Sequence, residues 1–140
     1  MKSIHILLIE DNEGDILLTT EAFQESRIVN TISVIRDGKE AITFFEPTSE
    51  PEKLPDLVLL DINLPKKSGH EVLMHIKTTE RYKHIPVIML TTSSSEKDIL
   101  KSYNNYANCF ITKPVEVADF MDAIDRIEDF WINIVSIPKR

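Results

Sequence analysis

Cysteine, glycine and long apolar stretches are scarce in this chain of 140 residues, and each scarcity excludes a class of protein. The single cysteine, Cys109, cannot form an intrachain disulfide, and its apolar neighbours in a predicted strand favour a small core residue over a reactive thiol. The glycines, Gly14, Gly38 and Gly69, form no P-loop or dinucleotide-binding motif, which argues against direct nucleotide binding. No apolar stretch approaches the roughly 20 residues of a membrane span, and no signal peptide precedes the first strand-like run. We therefore expect a cytoplasmic protein without a membrane partner.

Basic residues are outnumbered: 16 lysines and arginines stand against 23 aspartates and glutamates, which gives a net charge of -7. This balance argues against nucleic acid as a partner, since binding to phosphates requires a basic face. The histidines form no zinc site, because His70 and His75 are five residues apart on a predicted helix and point in different directions. A hydrophobic content of 42% is ordinary for a globular protein, and we expect one domain over residues 1–140.

Apolar runs of strand length alternate with longer helical patterns, which is typical of βαβ units and a parallel sheet. The predicted strands lie at about 4–9, 31–35, 57–61, 86–91 and 108–112, and the predicted helices at about 14–26, 38–46, 68–80, 95–104 and 117–134. Ser68 and Glu71 have the spacing of a capping box, which specifies the start of the third helix. The pattern predicts an α/β fold with a doubly wound, five-stranded parallel sheet and helices on both faces.

Residues with reactive or metal-binding side chains lie at the ends of four predicted strands. Glu10 and Asp11 follow the first strand, Asp61 the third, Thr91 comes at the end of the fourth, and Lys113 follows the fifth. Because the carboxyl ends of parallel strands meet at one edge of a sheet, we expect these side chains to converge there. Clustered carboxylates either take up protons or hold a cation, and an all-oxygen cluster suits Mg²⁺ better than Zn²⁺. A metal, a lysine and a hydroxyl around one carboxylate are the groups that phosphoryl transfer requires.

Asp61 is the predicted nucleophile, because it stands alone after a strand that is apolar on both faces. A carboxylate placed there is costly without a partner or an ion. Simpler roles exist for each residue of the set: Asp61 as a surface carboxylate, Glu10 and Asp11 as first-turn acids that interact with a helix dipole, and Thr91 as strand filler.

This ordered set resembles the receiver domain of two-component response regulators, from residue 4 to about 129. Glu10 and Asp11 match the acidic pair that faces the Mg²⁺, with glutamate where aspartate is commoner, and Asp61 matches the phosphoacceptor. Asn63 matches the residue whose main-chain carbonyl reaches the metal. Lys113, followed by a proline, matches the lysine that contacts the phosphoryl group.

The resemblance implies a CheY-like, flavodoxin-like fold with strand order 2-1-3-4-5 and a Mg²⁺-dependent switch. A sensor histidine kinase would donate a phosphoryl group to Asp61, and water would later remove it. Thr91 matches the switch hydroxyl, and Phe110 lies where a switch aromatic is expected, although an ordinary core aromatic is an equal alternative. The output would be binding to a downstream protein or a phosphotransfer protein, with no enzyme activity beyond self-phosphorylation and autodephosphorylation.

A narrower resemblance is to single-domain regulators that partner bacterial phytochrome-type histidine kinases. It depends on the segments Asp61-Ile62-Asn63-Leu64-Pro65-Lys66-Lys67, Leu90-Thr91-Thr92-Ser93 and Phe130-Trp131, together with Pro138.

The predicted fifth helix and the tail at about 129–140 carry more apolar residues than a compact receiver needs to cover its core. Clustered exposed apolar residues mark interaction sites, and aromatic residues are common in interfaces, so we expect a homodimer through this helix. The alternative is that Phe130 and Trp131 fold back onto the first helix.

The sequence leaves two rival functions open. An aspartate-nucleophile phosphatase of the haloacid dehalogenase type needs a second carboxyl two residues after the nucleophile, where this chain has Asn63. Its nucleophile also follows the first strand, whereas Asp61 follows the third. The second rival is a degenerate receiver that binds partners without phosphorylation, although every expected site residue is present.

Overall fold

The computed structural model describes residues 4–25, 30–48, 54–91, 100–101, 104, 107, 109–112, 122 and 126. For Thr91 and for Cys109–Thr112 the description covers the backbone. The regular elements are β1 (Ile4–Ile9), α1 (Glu13–Gln24), β2 (Asn30–Ile35), α2 (Gly38–Phe44), β3 (Leu57–Leu60), α3 (Gly69–Thr78), β4 (Val87–Thr91) and β5 (Cys109–Thr112).

The five strands form one parallel sheet in the order β2-β1-β3-β4-β5, as predicted. The three inner strands are hydrogen-bonded on both sides. β3 reads Leu-Val-Leu-Leu and is buried along its whole length, because both of its faces are covered. β3 can therefore be apolar at every position, because helices cover both faces of the sheet at this strand.

Successive side chains of the strands alternate between two hydrophobic cores. Ile6 and Leu8 face the core to which α1 contributes Ile16, Ala22 and Phe23. Leu7 and Ile9, from the same strand, face the opposite core. There they pack with residues of α2 and α3 and with the residue that ends α2, namely Ala41, Phe45, Val72, Leu73 and Ile76. Helices thus cover both faces of the sheet, which confirms the doubly wound architecture.

The helices begin at polar caps that place them directly after the loops at the carboxyl edge. Ser68 accepts a hydrogen bond from the Glu71 N–H at 3.2 Å, and the Glu71 carboxylate accepts one from the Ser68 N–H at 2.8 Å, so the predicted capping box is present. Asp37 caps α2 by accepting from the Glu40 N–H at 2.7 Å. These caps fix where each loop ends and its helix begins.

The predicted boundaries are correct to within a few residues. The largest shifts are at helix ends, where α1 ends at Gln24, α2 at Phe44 and α3 at Thr78, two residues before the predicted ends. Within the predicted fourth helix, the described residues Leu100, Lys101 and Asn104 are helical. Within the predicted fifth helix, the described residues Asp122 and Arg126 are helical. Within the described part of the chain, no helix combines the length and apolar character needed to cross a membrane.

Candidate functional site

Three acidic side chains meet at the carboxyl edge of the sheet. Oxygen atoms of Glu10, Asp11 and Asp61 all lie within 4.8 Å of one another. The sheet brings them together because Ile9 at the end of β1 is paired with Leu60 at the end of β3. Glu10, which follows Ile9, therefore lies beside Asp61, which follows Leu60.

Hydrogen bonds continue the sheet for one residue beyond the strand ends and hold this cluster in place. The Glu10 N–H donates to the Ile35 carbonyl at 3.0 Å, and the Asp61 N–H donates to the Ile9 carbonyl at 3.0 Å. The backbones of both acidic residues are consequently as well fixed as the strands themselves.

The environments of the three carboxylates differ. Glu10 is 2% exposed and Asp61 is 7% exposed, whereas Asp11 is open to solvent. A backbone N–H two residues on orients each of the buried side chains: Asn12 donates to Glu10 Oε2 at 3.3 Å, and Asn63 donates to Asp61 Oδ1 at 3.2 Å. Buried carboxylates so close together repel one another, and a cation between them relieves that repulsion.

The donor set fits a hard divalent cation. All three side chains offer carboxylate oxygens, which Mg²⁺ and Mn²⁺ prefer, and the cluster contains none of the nitrogen or sulfur ligands typical of zinc. Asn63 lies in the loop that follows Asp61, and no N–H or O–H of the described residues donates to its main-chain carbonyl. That carbonyl is available as a further oxygen ligand.

The start of α3 packs directly against the backbone of Asp61. The Gly69 N–H donates to the Ile62 carbonyl at 2.8 Å. A Cβ at Gly69 would overlap the Asp61 carbonyl oxygen and would lie 2.6 Å from the Ile62 Cα, so the approach requires glycine. This role of Gly69 was not predicted from the sequence, although a glycine directly after the Ser68 cap was a signal for it.

The start of α1 carries two polar contacts beside the acidic pair. Asn12, the last residue before the helix, caps α1 by accepting from the Asp15 N–H at 2.9 Å. Glu13, an exposed acid of the first turn, pairs with Arg36 at 2.6 Å between Oε1 and Nε. This hydrogen bond and the charge of Arg36 lower the pKa of the Glu13 carboxyl. No local pattern predicts this pair, because its members are 23 residues apart in the sequence.

Two of the remaining predicted site residues, Thr91 and Phe110, belong to the two strands on the other side of β3. Thr91 is the last residue of β4, which pairs with β3, and its backbone is in register with Thr112, the last residue of β5. Phe110 lies within β5, in register with Met89. Lys113 lies outside the described residues, directly after β5.

The family model of the response regulator receiver domain matches residues 6–125 of this chain. The chain belongs to this family. The fold, strand order and acidic edge described above are those that the resemblance implied.

Three relatives show how far the similarity extends. Response regulator Rcp1 of Synechocystis is 42% identical over 135 residues, which cover 95% of this chain and 92% of Rcp1. The Mn²⁺-bound structure of Rcp1 has a TM-score of 0.91 at 40% identity, covering 97% of this chain and 99% of that one. The phosphorylated cyanobacterial phytochrome response regulator RcpA has a TM-score of 0.94 at 40% identity, over 99% of this chain and all of RcpA (100%). The probable methanogenesis regulatory protein FilR2 of Methanothrix harundinacea is 39% identical, over an alignment that covers 91% of this chain and 83% of FilR2.

These relatives confirm the similarity to phytochrome response regulators as well as to receivers in general. They also assign the chain to a family other than the rival phosphatases.

Asp11 and Glu10 should contribute unequally to the binding of Mg²⁺. Asp11→Ala should weaken Mg²⁺ binding more than Glu10→Ala, because the longer Glu10 side chain acts through water more readily. We expect a loss of roughly tenfold for Glu10→Ala, which is typical when a group that acts on a metal through an intervening partner is removed, and a larger loss for Asp11→Ala. Isothermal titration with MgCl₂ measures both. Glu21→Ala, which removes an exposed acid from α1 away from the cluster, is the control; equal affinities for the two site variants would contradict the ranking.

Proposed function

We propose that this receiver takes a phosphoryl group from a sensor histidine kinase onto Asp61, in a reaction that depends on Mg²⁺. The observation that carries the proposal is the meeting of Glu10, Asp11 and Asp61 within 4.8 Å, with Asp61 buried after the central strand. Phosphorylation then changes the surface that the domain offers to a downstream protein or phosphotransfer protein. The chain has no enzyme activity beyond its own phosphorylation and dephosphorylation.

Glu10, Asp11, Asp61 and the main-chain carbonyl of Asn63 hold the metal in this proposal. The oxygen-only cluster supports this assignment, as does the Mn²⁺ in the structure of Rcp1. When bound, the divalent ion neutralises negative charge on the cluster and on the phosphoryl oxygens.

Asp61 is suited to attack because the sheet fixes its backbone and the Asn63 N–H orients its carboxylate. One carboxylate oxygen forms a bond to phosphorus while the bond from phosphorus to the kinase histidine nitrogen breaks, and that nitrogen keeps the electron pair. Lys113 then donates a charge-assisted hydrogen bond to the phosphoryl oxygens. Hydrolysis by water attack on phosphorus later restores the carboxylate and releases phosphate.

The switch depends on groups that contact the phosphoryl group only after transfer. Thr91, at the end of β4, is drawn towards it, and the ring of Phe110 in β5 changes rotamer in response. The surface formed by the fourth helix, β5 and the fifth helix changes accordingly.

Asp61 should be the sole phosphoacceptor. Incubation with acetyl phosphate and MgCl₂ should add the mass of a single phosphoryl group, and Asp61→Asn should abolish the addition because the amide is a poor nucleophile. Asp56→Asn, at the opposite end of β3, is the matched control and should still be labelled. Intact-protein mass spectrometry measures all three proteins.

An unlabelled wild type would favour the degenerate receiver, and turnover of a generic phosphomonoester would favour the phosphatase. The same assay with purified kinases as donors tests the proposed class of partner. A phytochrome-type kinase should transfer fastest, as the similarity to RcpA suggests, and faster transfer from an unrelated kinase class would contradict that assignment.

Lys113→Ala and Thr91→Ala should uncouple the switch more than they block labelling. Both variants keep Asp61 and the acidic pair, so acetyl phosphate should still label them. They lack the contacts that distinguish the phosphorylated state, so the shift of the Phe110 ring resonances on phosphorylation should be reduced. If both variants show the full wild-type shift in NMR spectra, the proposed switch is wrong.

We also propose a homodimer through the fifth helix, whose residues lie outside the described part of the chain apart from Asp122 and Arg126. The supporting observation is its sequence. An apolar stripe at helical spacing is predicted to cover the core, whereas Phe130 and Ile132 lie off that stripe and the apolar tail continues to Ile137. The stripe is Val117, Phe120, Met121, Ile124, Ile127, Trp131, Ile134 and Val135.

Deletion from residue 130 onward should convert the dimer to a monomer and leave Asp61 labelling intact, because the truncation removes interface residues but no site residue. Sedimentation velocity measures the mass of both proteins. A wild type that sediments as a monomer with and without phosphorylation would falsify the dimer.

A further inference from the structure

The turn that joins β2 to α2, taken as residues 35–38 from the end of the strand to the start of the helix, contributes no ligand to the acidic cluster. It nevertheless touches both loops that do. On one side, the Ile35 carbonyl accepts the Glu10 N–H at 3.0 Å. The next residue, Arg36, pairs through Nε with Oε1 of Glu13 at 2.6 Å. The turn is thereby connected both to the loop that carries Glu10 and Asp11 and to the start of α1 that follows it.

On its other side, the same turn is connected to the loop that carries Asn63. The Gly38 N–H donates to the Pro65 carbonyl at 3.1 Å, and that carbonyl also accepts from the Lys67 N–H at 2.9 Å. Asp37 Oδ2 lies 3.8 Å from Lys66 Nζ. Lys66 itself has a left-handed backbone with φ of 71°, a conformation that costs energy in a residue with a side chain.

The contact at Gly38 is too close for any other residue. A Cβ there would overlap the Lys67 carbonyl oxygen and would lie 2.6 Å from the carbonyl carbon and 2.8 Å from the Lys67 Cβ. The atoms that it would meet first are backbone, which cannot turn aside as the end of a flexible side chain can. The backbone of the turn therefore rests directly on the backbone of the Asn63 loop.

We infer that residues 35–38 act as a spacer that sets the distance between the acidic pair and the Asn63 carbonyl, with Gly38 as the positioning residue. The inference depends on the proposed function, because it assigns that carbonyl to the metal. The consequence is selectivity between cations. Mg²⁺ demands near-octahedral oxygen ligands at about 2.0–2.1 Å, whereas Ca²⁺ accepts six to eight ligands at about 2.3–2.6 Å in flexible geometry. A displaced Asn63 loop should therefore weaken Mg²⁺ binding far more than Ca²⁺ binding.

Gly38→Ala tests the spacer, because the added methyl group must push the Asn63 loop away from the turn. We expect Mg²⁺ affinity to fall roughly tenfold, as when other groups that position metal ligands are lost, and Ca²⁺ affinity to change by no more than about twofold. Titration calorimetry with each chloride salt, below the unfolding temperature of every variant, gives the ratio of the two affinities.

Ala41→Gly is the matched control, because it weakens the same helix at a buried position without adding an atom towards the loop. It should leave the ratio of Mg²⁺ to Ca²⁺ affinity unchanged. A parallel loss of both affinities in Gly38→Ala would mean general destabilisation and would overturn the inference. A wild type that binds neither ion would instead contradict the proposed function.

The wild-type chain provides a second test that does not depend on the folding of Gly38→Ala. In two-dimensional NMR spectra, saturating Mg²⁺ should shift the amide resonances of Gly38 and Lys67, although neither residue is a ligand, because their N–H groups donate to the loop that carries Asn63. Unshifted resonances for both amides, with the Glu10 and Asp61 amides shifted, would overturn the spacer.

Discussion

Repulsion among three carboxylates is the constraint on which the rest of this structure depends. Glu10 and Asp61 are almost completely buried, and their oxygen atoms share a space less than 5 Å wide with those of Asp11. Such a cluster is unfavourable by itself, since charges in a poorly solvated site interact strongly. It persists because hydrogen bonds to the neighbouring strands fix the backbones of Glu10 and Asp61. The unfavourable charge of the cluster is what makes it attractive to a divalent cation and responsive to a phosphoryl group.

Close contacts at two glycines fix the loops around the acidic cluster against the starts of neighbouring helices. Gly69 allows α3 to begin against the Asp61 backbone, and Gly38 allows α2 to begin against Lys67. The loop that carries Asn63 is therefore held between two helix starts. Two of the three glycines in the chain are used in this way, and both are at the carboxyl edge of the sheet. A site for a divalent cation benefits from such direct backbone contacts, because they leave little freedom for the ligands to move.

Much of the fold could be predicted because strands and helices follow from the local periodicity of apolar and polar residues. The run Leu57–Leu60 indicated a strand covered on both faces, and the structure buries all four residues. The spacing of Ser68 and Glu71 indicated a capping box, which is present. The caps formed by Asn12 and Asp37 were less apparent, since asparagine and aspartate are common in loops as well as at helix starts.

The sequence by itself determined the parallel α/β architecture, the family of the chain and the residues that lie at the carboxyl edge. These follow from hydrophobic patterns and from the order of polar residues after strands, both of which are properties of short segments. Only the tertiary structure decided which carboxylates are buried, that Arg36 pairs with Glu13, and that the turn at Gly38 rests on the loop after Asp61. Those features join segments more than 20 residues apart, and their geometry depends on strand register and helix packing, which no local pattern encodes.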